Sequence, residues 1–228
     1  MAAYIPNFAN PKLVKYVEEN IKPLYEAEST GHDWNHITNV MINMSKLREM
    51  VEDTSLDDGT FHPDKCYLAV VYHDISLCYS GNSRETHEID SGELFQTDQF
   101  IRDNVHPDAI KIIADAIYKH RASTGRDHRT TLSKLLYQAD RGFLTMTPED
   151  VFKRSKAFHE ARAYKTHDTN IETTLRTVAH IKNKYGENGY AYNTIYFKDG
   201  VLDFRHNMEQ FLNTCILLFG EDQIDRYK

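Results

Sequence analysis

The chain has 228 residues, of which 40% are hydrophobic and 27% charged, and its 27 Lys and Arg against 34 Asp and Glu give a net charge of −7. This composition is typical of a globular protein, and the acidic balance argues against binding of a nucleic-acid polymer. No apolar run is long enough to cross a bilayer, no export signal opens the chain, and the three cysteines lack metal-ligand spacing, so we expect a cytoplasmic protein with free thiols.

Apolar residues recur at helical spacing along nearly the whole chain. Asn10 and Pro11 have the pattern of a helix N-cap followed by proline at the first helical position. The helices predicted from this spacing up to residue 143 lie at about 11–24, 33–51, 63–75, 85–103, 107–121 and 131–143. The third of these is expected to contain His73 and Asp74 within its length.

The rest of the chain is also predicted to be helical. Thr147 and Asp150 have the spacing of a capping box, and the helices expected after it lie at about 148–164, 171–185 and 207–219. Asp199-Gly200 stands between two apolar runs and predicts a small β-hairpin within 194–204. The predicted fold is therefore all-α, a single domain over 1–228, with a metal-binding core at about 11–145 and a helical extension at 146–228 packed on it.

Four residues of the types that bind metals fall at core positions of three predicted helices. His36 lies on the apolar stripe of the second helix, the pair His73-Asp74 lies in an otherwise apolar run, and Asp140 ends another such run. A buried carboxylate is costly unless it is paired or bound to a metal. Neighbouring residues on a helix point about 100° apart, so the pair can share an ion only across a groove between helices. We therefore expect one divalent cation with His36, His73, Asp74 and Asp140 as ligands.

This order, a histidine, a His-Asp pair and a distant aspartate on successive helices, resembles the HD-domain metal-dependent phosphohydrolase superfamily. The flanking residues are similar as well, at 31–36, 72–75, 84–91 and 138–141. They look like those of small stand-alone bacterial and phage members. The resemblance covers about residues 11–145, and it implies a helical bundle of the HD type.

The resemblance also implies an activity. The expected reaction is hydrolysis of a small phosphate ester, a nucleotide in the first place, by water that a divalent ion activates. Mixed imidazole and carboxylate ligands favour Mn, Fe, Co or Ni, and Mg is compatible. His87 and Glu88 are the candidates for orienting the substrate or moving protons. The candidate substrate-binding residues are Arg84, His120, Arg121 and Arg141. A homo-oligomer is compatible with the sequence.

Other interpretations are open at this point. A binuclear iron oxygenase of the same superfamily would use His87 and His120 as additional metal ligands, and a non-catalytic nucleotide sensor would use the same scaffold without turnover. The four ligand-type residues could also form a buried polar network without a metal. His120 shares a helix face with three isoleucines and is expected to point inward, whereas His32 is expected to be a cap or surface residue.

Overall fold

A computed structural model describes residues 9–27, 32–51, 58–79, 85–121, 127–142, 145–192, 196 and 201–227, with the side chains of 161–166 excepted. The described residues form helices and turns and contain no strand, which confirms the prediction of an all-α fold. The chain divides into two compact units, Met1–Gly142 and Phe143–Lys228. The predicted end of the metal-binding core, at about 145, lies close to this division, and packing of the extension on the core stays a prediction.

The first unit contains α1 (Pro11–Tyr16), α2 (Lys22–Glu26), α3 (Trp34–Val51), α4 (Pro63–Tyr72), α5 (His87–Thr97), α6 (Gln99–Asn104), α7 (Pro107–Lys119) and α8 (Thr131–Ala139). A π-helical turn, Val17–Ile21, joins α1 to α2, and a 3₁₀ helix, Ile75–Cys78, follows α4. The predicted N-cap is confirmed, since the Asn10 side chain accepts a hydrogen bond from the Lys12 amide at 2.9 Å.

Helix α4 lies at the centre of this unit. All of its residues from 66 to 72 are buried. A helix that is apolar on every face needs neighbours on every side, and α4 packs against α3, α5, α7 and α8. The residues with metal-type side chains lie at the ends of these same helices, so the packing around α4 positions the candidate site.

The predicted third helix ends earlier than expected. Helix α4 stops at Tyr72, His73 is its C-cap, and Asp74 leaves the helical conformation at φ −114° and ψ 10°. The expectation that His73 and Asp74 lie within the helix is therefore wrong. The physical reason is the cap itself: the His73 ring Nδ1 is 2.7 Å from the Val70 carbonyl oxygen, so the side chain satisfies a carbonyl of the last turn. The backbone then turns, and His73 and Asp74 point to the same place.

The predicted helix at 85–103 is two helices. The chain breaks at Asp98, whose φ of −61° and ψ of 119° are extended and whose carboxylate accepts a hydrogen bond from the Ile101 amide at 3.2 Å. Its other oxygen accepts from the hydroxyls of Tyr16 and Tyr72, at 2.8 and 2.6 Å. These contacts stabilise the break, which the continuous apolar spacing of the sequence conceals.

The second unit contains α9 (Pro148–Thr166), α10 (Asn170–Tyr185), α11 (Leu202–Phe219) and α12 (Glu221–Asp225). The predicted capping box of Thr147 and Asp150 is confirmed. The prediction of a second hairpin strand is wrong, because residues 202–204 begin α11. Phe204, Met208 and Leu212 are buried at the four-residue spacing of a helix. The turn residues, Asp199-Gly200, lie outside the described residues. Among the described helices, none is long and apolar enough to cross a membrane.

Candidate metal centre

The structure brings His36, His73, Asp74 and Asp140 together. Nε2 of His36 and Nε2 of His73 are 3.3 Å apart. Oδ2 of Asp74 lies 3.3 and 3.1 Å from these two nitrogens, and Oδ1 of Asp140 lies 3.2 and 3.6 Å from them. Neighbouring ligands of an octahedral ion with bonds of about 2.1 Å are about 3 Å apart. The spacing of the four atoms therefore fits a single cation.

Each of these side chains is placed by a helix end. His36 lies in the first turn of α3, where its amide donates to Oδ1 of Asp33 at 3.0 Å, so Asp33 caps the helix. His73 is the C-cap of α4, and Asp140 is the C-cap of α8. His36, His73 and Asp74 are buried, whereas the Asp140 side chain is 28% exposed. The group is thus closed on the protein side and open at Asp140.

The hydrogen bonding of His73 tests whether a cation fits this group. Because the Val70 carbonyl can only accept, Nδ1 of His73 carries a proton and Nε2 is left to face the carboxylates. Nε2 lies 3.1 Å from Oδ2 of Asp74, and without a second proton on the ring these two atoms would be acceptors in contact. Such a contact is favourable only when a positive charge, a proton or a metal ion, lies beside both atoms. The donor set therefore fits a divalent cation.

The titration behaviour of the group leads to the same conclusion. Burial would lower the pKa of His73, but the carboxylates of Asp74 and Asp140 raise it to about 10. Burial would likewise raise the pKa of Asp74, yet the imidazoles around it, His73 first, hold it well below its usual range. Burial would also raise the pKa of Asp140, but hydrogen bonds from His36 and His73 hold it well below its usual range. The site keeps its carboxylates ionised and stabilises added positive charge.

A second group of metal-type side chains shares Asp74. Oδ1 of Asp74 lies 3.4 Å from Nε2 of His87 and 3.5 Å from Nε2 of His120, and these two nitrogens are 3.2 Å apart. His120 is 2% exposed, which confirms that it points inward. The two oxygens of Asp74 thus face two different groups, each with atoms close enough to bind one ion.

Glu88 lies behind His87 rather than between it and Asp74. The Glu88 side chain is 1% exposed, and its Oε2 is 3.5 Å from Nδ1 of His87. The same oxygen is 3.7 Å from Nη1 of Arg121, which donates to the Glu85 carbonyl at 2.6 Å. A carboxylate on the outer nitrogen of an imidazole orients the ring and keeps its inner nitrogen available. A role of Glu88 in orienting His87 or in catalysis stays a prediction.

Close packing of α5 on α7 brings His87 to His120. Gly92 allows this approach, because a Cβ atom at this position would overlap the Tyr118 ring. On the other side of α5, Oγ of Ser76 donates to the His87 carbonyl at 3.0 Å, and Oγ of Ser91 bonds to Ser76. The start of α5 is therefore attached to the segment that directly follows Asp74.

The remaining predicted substrate-binding arginines have different positions. The Arg121 side chain is 30% exposed. Arg141 is 2% exposed, its guanidinium carbon lies 3.2 Å from the centroid of the Tyr137 ring, and its Nη1 donates to the Tyr137 carbonyl. A role of Arg141 in substrate binding stays a prediction. Arg84 lies outside the described residues.

Sequence reasoning missed His32, which it placed at a cap or on the surface. Its Nε2 lies 3.8 Å from Oδ2 of Asp74, and its ring meets the His36 ring edge-on with centroids 5.5 Å apart. Its side chain is 24% exposed. The available signal is the four-residue spacing between His32 and His36, which an extended helix would place on one face. In the structure α3 begins after His32, and Asp33 is the residue that caps it.

No protein-family model, curated protein or solved structure matches the chain. The described residues form a buried cluster of histidines and aspartates that could hold a metal ion. This cluster is compatible with a site of the HD type.

Proposed function

We propose that this chain is a metal-dependent phosphohydrolase of the HD type that acts on a nucleotide or a related small phosphate ester. The observation that carries the proposal is the convergence of His36, His73, Asp74 and Asp140, with their four facing atoms within 4.8 Å of one another. The same four residues are those that the resemblance assigns to the metal. Two imidazoles and two carboxylates favour Mn, Fe, Co or Ni over Mg.

Hydrolysis forms a bond between a water oxygen and phosphorus and breaks the bond from phosphorus to the leaving oxygen. When bound, a divalent ion supplies Lewis acidity, which polarises a phosphoryl oxygen and allows water to react near neutral pH. Four protein ligands are fewer than the six of an octahedral site, so water and substrate can also bind. The opening at Asp140, where 28% of the side chain is exposed, is the side from which we expect substrate to enter.

Side chains on the Oδ1 side of Asp74 would handle the proton and the charge of the reaction. His87 is 13% exposed and lies 3.4 Å from Asp74, so its Nε2 can donate to a phosphoryl oxygen or move a proton. The charge of Glu88, 3.5 Å from Nδ1 of His87, would favour this orientation of the ring. Arg121 lies 3.7 Å from Glu88, and its partial exposure would allow it to offset the charge of a phosphate.

A second candidate function has its own supporting observation. Because Asp74, His87 and His120 form another group of ligand-type atoms, two ions could share the Asp74 carboxylate. Two irons in this arrangement would favour an oxygenase, which needs dioxygen rather than water as its second substrate. A nucleotide sensor would bind the ligand without turning it over.

The test is metal analysis of the purified full chain followed by a phosphate-release screen across nucleoside mono-, di- and triphosphates. We expect phosphate release that stops in EDTA and returns with Mn²⁺ or Co²⁺. Two irons per chain with substrate-dependent oxygen consumption would replace the hydrolase with the oxygenase. Nucleotide binding without release of phosphate from metal-loaded protein would replace both with the sensor.

A further inference from the structure

Asn43 is a buried polar residue on α3, about two helical turns after His36. It is 1% exposed and lies on the apolar stripe that also carries Val40, Met44 and Leu47. Its Nδ2 donates to the Ala139 carbonyl at 2.9 Å. Its Oδ1 is buried and has no hydrogen-bond partner among the described residues.

An unpartnered oxygen in the core is destabilising, and a leucine, which has the same branching, would avoid it. The hydrogen bond to the Ala139 carbonyl is therefore the reason for an asparagine side chain at this position. That bond reaches the last turn of α8, where carbonyl groups have no partner within the helix. The Ala139 carbonyl also accepts from the Gly142 amide at 3.2 Å, and Gly142 turns the chain with φ of +74°.

The residue that follows Ala139 is Asp140. Its side chain is the most exposed of the four that face the candidate ion, and it is carried by a helix end rather than a helix interior. Helix α3 holds both His36 and Asn43, at a spacing of seven residues that places them on one face. The hydrogen bond from Asn43 thus connects the helix that carries His36 to the residue before Asp140.

We propose that Asn43 is a positioning residue of the metal centre. By fixing the end of α8 against α3, its amide holds the Asp140 carboxylate 3.2 Å from Nε2 of His36, the separation that one shared ion requires. This inference rests on the proposed metal site and concerns a residue that does not touch the ion.

The test compares Asn43→Leu with Ser133→Ala in the full chain. Asn43→Leu removes the donor and keeps the number and branching of the side-chain heavy atoms, although the methyl groups are bulkier than the amide. Ser133 is also fully buried and donates to a main-chain carbonyl, that of Thr130, but at the opposite end of α8. Mn²⁺ affinity is measured by titration calorimetry on chelator-stripped protein, and thermal unfolding is measured without metal.

We expect Asn43→Leu to weaken Mn²⁺ binding about ten- to a hundredfold, the range found for residues that orient metal ligands, with an unfolding temperature at or above that of the unaltered chain. Ser133→Ala should lower the unfolding temperature and leave Mn²⁺ affinity unchanged. In an Asp140→Ala background, Asn43→Leu should have no further effect on affinity, because it acts through Asp140.

Mn²⁺ affinity within twofold of the unaltered chain for folded Asn43→Leu would overturn the proposal. If Asn43→Leu does not fold, Asn43→Ala replaces it under the same criterion, because it removes atoms and creates no overlap. An unaltered chain that binds no Mn²⁺, Co²⁺ or Ni²⁺ would instead overturn the metal site itself, and the role of Asn43 with it.

Discussion

His73 and His120 end two neighbouring helices in the same way. Each ring places Nδ1 2.7 Å from the carbonyl oxygen three residues earlier, Val70 for His73 and Ile117 for His120. Their rings meet edge to face with centroids 4.9 Å apart, and their Nε2 atoms lie 3.1 and 3.5 Å from opposite oxygens of Asp74. The same local cap at the ends of α4 and α7 thus directs two Nε2 atoms toward one carboxylate.

The ends of three helices favour a cation at this place. His73, His120 and Asp140 are the C-caps of α4, α7 and α8. The C-terminus of a helix carries partial negative charge from its unpaired carbonyl groups. The N-termini of α3 and α5 at the same site carry partial positive charge, so the backbone contributions oppose one another and the carboxylates are the main groups that stabilise a positive ion.

Replacing Asp74 with alanine should release the metal and abolish phosphate release, because Asp74 is the carboxylate that both ligand groups share. The helical circular-dichroism spectrum should stay largely intact. Metal content of the purified variant is measured by mass spectrometry. The matched control is Asp103→Ala, which removes an exposed carboxylate that bonds to Gln99 on α6. Full metal occupancy in the His73→Ala/Asp74→Ala double variant would exclude the proposed ligand set.

Replacing His87 with alanine distinguishes the two candidate functions. If His87 contacts the phosphate or moves a proton, kcat/KM should fall about ten- to a thousandfold, the range for losing a charge-assisted hydrogen bond or an acid–base group. Metal content should then stay near one ion per chain. A decrease from two irons to one, in a protein that consumes oxygen, would contradict the hydrolase and support the oxygenase.

Replacing Glu88 with glutamine should lower kcat about tenfold and leave in place the metal at the group of His36, His73, Asp74 and Asp140. The variant keeps the shape of the side chain but removes the charge 3.5 Å from Nδ1 of His87, so the ring is oriented less well. Glu93→Gln, on the exposed side of the same helix, is the control. Loss of metal in the Glu88 variant would mean that Glu88 supports the four-residue group rather than His87.

The sequence predicts well that His36, His73, Asp74 and Asp140 come together, because charged side chains within apolar helical runs are costly and need a common partner. It predicts the helix ends around them poorly. Asp74 continues an apolar run, so nothing in the spacing shows that α4 stops at Tyr72. Asp98 is a capping residue within an apolar pattern that does not change across the break.

Two residues near the site could not be predicted for a different reason. His32 precedes its helix, so its approach to Asp74 depends on how the chain enters α3. Asn43 acts through a carbonyl 96 positions away in the chain, and this contact follows only from the packing of α3 on α8. Nothing in the local pattern around Asn43 indicates its carbonyl partner.

Acid should destabilise the second unit through His180. Burial, with the positive charges of Lys184 and His159, lowers the pKa of His180 from 6.5 to about 4. His180 binds a proton less readily in the folded state than in the unfolded state. The free energy of unfolding is therefore undiminished well above pH 6.5 and decreases as the pH falls from 6.5 toward 4. Between pH 7 and 5 the unaltered chain should lose about 1–2 kcal/mol more than His180→Gln.

Urea unfolding of metal-free protein at both pH values measures this difference. His206→Gln, which replaces an exposed histidine on α11, is the control and should behave as the unaltered chain. Equal losses for the unaltered chain and His180→Gln would show that His180 is accessible to protons in the folded state.

The close approach of α5 and α7 can be tested at Gly92. A Cβ atom there would overlap the Tyr118 ring, so Gly92→Ala should lower the free energy of unfolding by about 1–3 kcal/mol. It should also lower kcat/KM, because moving α5 away from α7 separates His87 from His120. Urea unfolding and steady-state kinetics measure the two effects.

The double variant assigns the cause. In a Tyr118→Ala background the obstacle is gone, and Gly92→Ala should then be neutral or stabilising, since alanine favours a helix over glycine by about 1 kcal/mol. The value of kcat/KM should recover in parallel, because α5 can again lie against α7. If Gly92→Ala costs as much stability with alanine at 118 as with tyrosine, the Tyr118 ring does not limit the approach, and a different contact must set the distance between His87 and His120.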